Sequence, residues 1–316
     1  MKYSNLSILA LIAVLMTACN INKNKEETMN EGRGHEVWSK DAVIYEVNIR
    51  QYTEEGTFNA FLPHIPRLKE MGVDILWLMP VHPVGVLNRK GSLGSYYAVR
   101  DYRGVNPEFG TMDDLKNLVQ QAHALGMKVI LDWVANHTAW DHVWTETNPE
   151  YFEKDKKGGF ISPYDWTDVI ALDYSNDAMR DSMIEALKFW VRVADVDGYR
   201  CDVAGMVPTD FWDDARKALE EIKPVFMLAE DEDNPDLLRE AFDMNYTWKV
   251  HHLMTRIVKG ESPASEFWTH FAWNDSVFNP GVYRMNFITN HDENSWNGTE
   301  FERMGDGVRH LQYLLL

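Results

Sequence analysis

Cysteine is scarce. Cys19 and Cys201 are the two in 316 residues, so no disulfide framework holds this chain together. Positive charge is also under-represented, with 31 Lys and Arg against 49 Asp and Glu and no basic run. The resulting net charge of −18 repels phosphate backbones and anionic headgroups, which excludes nucleic acid as a partner. No apolar run is long enough for a membrane span: residues 6–16, behind Lys2, fall short of the roughly 20 that a bilayer needs. That run has instead the size of a signal-peptide core. With 45% hydrophobic and 25% charged residues the remainder is neither disordered nor fibrous, and its length suffices for one large core.

What the chain does have is aromatic surface and a regular alternation. Twelve Trp, thirteen Tyr and fourteen Phe offer flat apolar faces of the kind that suit sugar rings, although most of them are expected in the core. From residue 37 onward, strand-like apolar runs alternate with amphipathic helical stretches, the pattern of a parallel α/β fold. Strands are expected at 42–49, 73–79, 127–134, 198–203, 225–229, 244–248 and 284–289. Helices are expected at 58–71, 112–125, 178–193, 211–222, 235–242, about 250–271 and 308–316. Thr111 should cap the second of these and Gly126 should end it. Residues 138–176 lose periodicity and are too long for an ordinary connection, so they read as a short lobe inserted after the third strand, with an exposed tip at 154–159. The fold class is thus α/β, a (β/α)8 barrel counted to seven units; on that count the chain reads as truncated before the eighth strand.

Four strand ends carry acids or the polar residues that orient them: Asp132-Trp133-Val134-Ala135-Asn136-His137, Gly198-Tyr199-Arg200-Cys201-Asp202, Met227-Leu228-Ala229-Glu230 and Thr289-Asn290-His291-Asp292. Carboxylates prefer water, so four such ends in fixed order point to one shared polar site where parallel strands converge. Glycoside hydrolysis needs an acid for the leaving oxygen and a carboxylate on the other face of the sugar, about 5–5.5 Å apart in retaining enzymes. Asp202 and Glu230 end neighbouring strands and fit that need. Arg200 shares a strand face with Asp202 and is expected to hold it ionised, whereas the apolar run before Glu230 is expected to favour a protonated acid.

These segments resemble the four sequence regions that mark the alpha-amylase superfamily, glycoside hydrolase family 13, in the right order from about Trp38 onward. The resemblance implies that Asp202 is the nucleophile, Glu230 the acid/base and Asp292 a third carboxylate that binds sugar hydroxyls. It implies that His137 and His291 bind hydroxyls of the same glucosyl unit, that Asp132 braces the site through Arg200, and that the sugar stacks on Tyr97. Asn136 matches a calcium ligand of the family, and Asp132, Asp165, Asp168 and Asp173 are further cation candidates. The chemistry itself needs no cofactor, and calcium is left open, because Gly205-Met206 stands where many alpha-amylases carry Lys-His. The expected reaction is retaining cleavage of α-glucosidic bonds in starch-derived oligo- or polysaccharides. The same residues also serve a transglycosylase, and a third reading is a non-catalytic glycan-binding lipoprotein. Met16-Thr17-Ala18-Cys19 resembles a bacterial lipoprotein processing box. Residues 1–18 are therefore expected to be a signal peptide, Cys19 the lipidated residue and 19–36 a tether. The expected catalytic domain is 37–316, exported and held by lipid in the periplasm or at the cell surface.

Overall fold

The computed structural model describes residues 37–279 and 281–315; the signal, lipidation and tether expectations lie outside them. A six-stranded sheet forms the centre: β1 (Ile44–Val47), β2 (Ile75–Leu78), β3 (Lys128–Trp133), β6 (Gly198–Cys201), β7 (Phe226–Ala229) and β8 (Met244–Asn245). Every pair in it is parallel, in the order β1-β2-β3-β6-β7-β8, which is the sequential winding of a (β/α)8 barrel. A separate antiparallel pair, β4 (His137–Ala139) with β5 (Val169–Ala171), brackets the stretch expected as a lobe.

The strands after β1 are buried on both faces, and their period of two divides the core into two populations. Leu76, Leu78, Val129, Leu131, Trp133, Tyr199, Cys201, Met227 and Ala229 pack outward with Leu118, Met183, Leu187, Trp190 and Phe211 of the covering helices. Ile75, Trp77, Ile130, Phe226, Leu228, Met244 and Tyr246 pack inward as a second cluster. Two residues beyond Ile130 on this inner face is Asp132, two beyond Leu228 is Glu230, and two beyond Arg200 is Asp202. The same alternation that fills the interior with apolar side chains therefore crowns it with acids.

Local chemistry shortened several expected elements. The first strand stops at Val47 because Asn48 starts a helical turn, Ile49–Tyr52. Pro63 and Pro66 divide the first helix into Phe58–Phe61, a 3-10 turn Leu62–His64, and Ile65–Glu70. The helix Met112–Ala124 forms as expected, with Thr111 and Asp114 closing a reciprocal capping box and Gly126 at φ +71° after its end. The helix expected at 235–242 is only the 3-10 turn Pro235–Leu238, because Phe242 N–H already bonds back to Leu237 and turns the chain into β8. The long region near 250–271 is two helices, Trp248–Val258 and Glu266–Val277, separated where Gly260 adopts φ +73° and Pro263 follows. The seventh strand is not a strand. Met285 makes one parallel bridge with Tyr246 on the far side of the two-residue β8, and among the described residues no strand pairing continues through 286–289.

One glycine has no substitute. Gly198 opens β6 at φ +149°, and a Cβ there would lie 1.8 Å from the carbonyl oxygen of Phe226 on β7. Gly198→Ala should cost at least ~3 kcal/mol in urea denaturation, because both strands that carry the acids would have to shift. A loss under about 1 kcal/mol would show that this close approach is not needed.

Candidate active site

Arg200 is fully buried and is the cross-strand partner of Asp132 in the β3–β6 register. Its Nη1 donates to Asp132 Oδ1 at 2.8 Å and to Asp202 Oδ1 at 3.0 Å. Its Nη2 lies 2.8 Å from Glu230 Oε1, a charge contact in which no N–H is aimed at the oxygen. Nε donates to Tyr246 OH at 3.1 Å, and the guanidinium lies 4.9 Å from the centre of the Trp77 ring. One planar cation thus holds three carboxyls side by side, and hydrogen-bonds only Asp132 and Asp202.

Backbone bonds fix the two acids that flank it. Asp202 N–H bonds to Trp133 O and Glu230 N–H to Cys201 O, so each acid is still tied to the neighbouring strand beyond the end of its own. Immediately after Asp202, Val203 is held at φ +39°, a left-handed conformation that a β-branched residue avoids at a cost of about 1–3 kcal/mol. That turn aims Val203 N–H at Glu230 Oε2, 2.8 Å away. The strained residue therefore links the two acids through the backbone.

A second network meets the first at Asp132. Its Oδ2 accepts from Trp77 Nε1 at 3.2 Å and from Tyr97 OH at 3.0 Å. Tyr97 OH also meets His291 Nε2 at 2.8 Å, and the two rings stack with centres 5.3 Å apart. His291 Nδ1 and backbone N–H both bond to the Glu46 carboxylate on β1, at 2.6 and 3.0 Å. Asp292 Oδ1 lies 3.3 Å from His291 Nε2. With its side chain 42% exposed, against 11% for Asp202 and 12% for Glu230, Asp292 stands nearest to solvent. Asp202, Val203, Glu230, His291 and Asp292 line a cavity of about 350 Å³. Ser95, Tyr97, His137, Trp166, Asp168 and Val169 supply the rest of its wall.

The structure thus brings together all eight residues expected to bind or react: Asp132, Arg200, Asp202, Glu230, Tyr97, His137, His291 and Asp292. Glu46, Trp77, Tyr246 and Trp166 were missed, and Asp168 was expected only as a cation candidate. For Glu46 a signal existed, since a carboxylate in the middle of the apolar run Ile44–Val47 is out of place unless paired. Tyr246, following a two-residue strand, gave none.

The electrostatics correct one expectation. Arg200 was expected to keep Asp202 ionised, but burial first, and then the charge of Glu230, push the Asp202 carboxyl well above its ordinary range against the pull of Arg200. Burial likewise pushes Asp132 up to about 6, with Arg200 and His291 opposing. Three carboxyls on one guanidinium leave excess negative charge, so the cluster retains a proton more readily than free acids do. Burial pulls His291 down, but its bond to Glu46 and the charge of Glu46 outweigh that and leave the imidazole raised. Burial takes His137 down to about 4, so it is neutral at pH 7. The Cys201 thiol is buried and pushed upward, which makes it a packing group.

The calcium candidates do not converge. Asn136 Nδ2 is 3.1 Å from His137 Nδ1, a bond that braces the loop. Asp132 belongs to the Arg200 cluster, Asp165 is exposed, Asp168 pairs with Lys90, and Asp173 accepts from Ser175. Among the described residues no group of three His, Cys, Asp or Glu side chains could hold a metal ion.

The Asp132 value sets a pH test. Its carboxyl is raised from about 4 in the unfolded chain to about 6, so its contribution to stability is complete below pH 4 and lost as pH rises through 6. Urea unfolding of wild type and Asp132→Asn at pH 4 and pH 6.5 should show the wild type losing on the order of 2 kcal/mol more than the variant. A difference that stays constant with pH would contradict the assignment.

Comparison with known proteins agrees with this geometry. The family model "alpha amylase, catalytic domain" matches residues 29–169 and 155–306. The chain is 37% identical to an alpha-amylase from Lactobacillus plantarum, with a TM-score of 0.81, covering 87% of this chain and 68% of that one. To the noncanonic maltogenic alpha-amylase AmyB of Thermotoga neapolitana it is 39% identical, with a TM-score of 0.75 and coverage of 80% and 60%. Alpha-amylase 3 of Dictyoglomus thermophilum is 29% identical over 241 residues, 66% of this chain and 47% of that protein. The chain therefore spans about half the length, or less, of the curated relatives it matches. The acid cluster, the order of the strands that carry it and this match together place the chain in the alpha-amylase family, as a catalytic domain of that family.

Proposed function

We propose that this protein is a retaining glycoside hydrolase that cleaves α-glucosidic bonds of starch-derived oligosaccharides or polysaccharides. The observation that carries this reading is the placement of Asp202 and Glu230 on the two terminal nitrogens of one buried guanidinium, at the wall of a cavity. Both carboxyls lie within 3.0 Å of that guanidinium, an arrangement compatible with the short separation that retaining enzymes use.

In the first step an Asp202 oxygen bonds to the anomeric carbon as the glycosidic C–O bond breaks, and Glu230 gives its proton to the leaving oxygen. In the second, Glu230 takes a proton from water, the water oxygen bonds to the anomeric carbon, and Asp202 leaves as a carboxylate. Asp202 Oδ1 accepts a guanidinium N–H, whereas Glu230 accepts the Val203 backbone N–H and meets the guanidinium by charge. The division into nucleophile and acid is the one that the family resemblance implies for these two positions. Tyr97 supplies a ring face for the sugar, while His137, His291 and Asp292 supply polar groups to its hydroxyls. Export and anchoring through Cys19 belong to the same proposal and are supported by the apolar run 6–16 and the box 16–19.

Asp202→Asn should abolish turnover of maltooligosaccharides while leaving the melting temperature within a few degrees. Glu230→Gln should slow substrates with poor leaving groups by 10²-fold or more, and far less those with activated leaving groups such as a nitrophenolate. An active Asp202→Asn enzyme, or equal losses on both kinds of substrate, would remove these residues from their roles. Longer products at high maltooligosaccharide concentration would show that a sugar hydroxyl, not water, completes the second step.

A further inference from the structure

A second buried cluster adjoins Asp292 in the chain and takes no part in the proposed reaction. Glu293, the residue after Asp292, is only 7% exposed. Its Oε2 lies 3.3 Å from His251 Nε2 and 3.5 Å from Arg303 Nε, and accepts from Asn297 Nδ2 at 3.2 Å. His251 and Arg303 are buried too. A buried acid needs such partners, but both of these also hold backbone.

The two partners come from different helices and grip the chain on either side of the 289–297 turn. His251, on the helix Trp248–Val258, stacks on Phe287 with ring centres 4.9 Å apart and planes at 8°, and its Nδ1 lies 3.2 Å from Phe287 O. A carbonyl only accepts, so Nδ1 carries the proton and donates. Arg303, on the helix Glu300–Met304, donates through Nη2 to Ile288 O at 2.9 Å, and through Nη1 to Asn294 Oδ1 at 3.3 Å and to Gly298 O. Asn294 Oδ1 also accepts from Thr289 Oγ1 at 2.7 Å, which ties the start of the turn to its middle.

The fold creates the need for this grip. Among the described residues strand pairing ends at the Met285 bridge, so the carbonyls of Phe287 and Ile288 take side-chain donors where β2, β3 and β7 use neighbouring strands. The turn so held is the one that presents His291 and Asp292. His291 is fixed separately, to Glu46 on β1, whereas among the described residues the Asp292 carboxylate pairs only with His291. The place of Asp292 is therefore set by the backbone that carries it, and that backbone is set by the Glu293 cluster.

We propose that Glu293, His251 and Arg303 are positioning residues that clamp the 287–298 backbone so that Asp292 faces the sugar. This rests on the glycosidase reading for what Asp292 touches. The test uses Glu293→Ala, Glu293→Gln and Arg303→Met, each alone and combined with Asp292→Asn. Turnover of α-glucosyl fluoride is measured at enzyme concentrations that keep Asp292→Asn above background, and hydrogen exchange of the peptide spanning 287–298 is followed alongside. Glu293→Ala and Arg303→Met should lower kcat tenfold or more with KM within threefold, and should speed exchange in 287–298 while β3 and β7 stay protected. Glu293→Gln should recover most of the loss, because its amide donates to His251 Nε2 and still accepts from Asn297. Combined with Asp292→Asn, the same substitutions should cost less than twofold further, since residues that act through one group do not add. Losses that add in full to Asp292→Asn, unchanged exchange in 287–298, or faster exchange throughout the barrel overturns the proposal. Faster exchange confined to 287–298, in a protein whose wild type turns over no glucosyl substrate, supports the clamp and overturns only the hydrolase reading.

Discussion

The Arg200 guanidinium, buried at the centre of the sheet and shared by three carboxyls, is the interaction on which the rest depends. A lone cation there would be costly to bury, and so would any one of the acids; together they are tolerable because donors and acceptors are matched. The three carboxyls are not held alike. Asp132 and Asp202 take directed N–H bonds from the guanidinium, and Glu230 meets it by charge while accepting the Val203 backbone N–H.

Around this core the fold supplies position more than chemistry. Period-two alternation places Asp132, Arg200, Asp202 and Glu230 on the inner face, and the parallel register sets Asp132 against Arg200. Gly198 lets β6 approach β7, and the left-handed Val203 turns the chain so that its N–H reaches Glu230. The Glu46–His291–Tyr97–Asp132 chain then couples β1, the loop before the second helix and the 289–292 segment to the same guanidinium. Residues far apart in sequence are thus made one electrostatic unit.

How much of this the sequence discloses depends on the range of the cause. The strand ends were legible because each acid follows a short apolar run, a local pattern that needs no knowledge of neighbours. The Met112–Ala124 helix was legible for the same reason, from Thr111 and Gly126. Illegible features are those decided elsewhere in the chain. Tyr246 matters only because the 244–245 strand delivers it to Arg200, and the segment at 284–289 keeps a single bridge, Met285 to Tyr246, beside that short strand. The upward push on Asp202 comes first from burial, a property of the assembled core, and then from Glu230 at the end of another strand. At Pro63, Pro66 and Gly260 the breakers are visible in the sequence, and they outweigh the apolar periodicity that runs through them.

The central claim is that Asp202 becomes covalently joined to the sugar while Glu230 manages the proton. The most direct measurement is mass spectrometry of the protein after brief exposure to a fluorinated α-glucosyl fluoride, whose second step is slow, followed by proteolysis to locate the label. The account requires one added fluoroglucosyl group on the peptide that contains Asp202, and none in Asp202→Asn. A label on a different residue, or inverted product released with no labelled protein at any time, would contradict it.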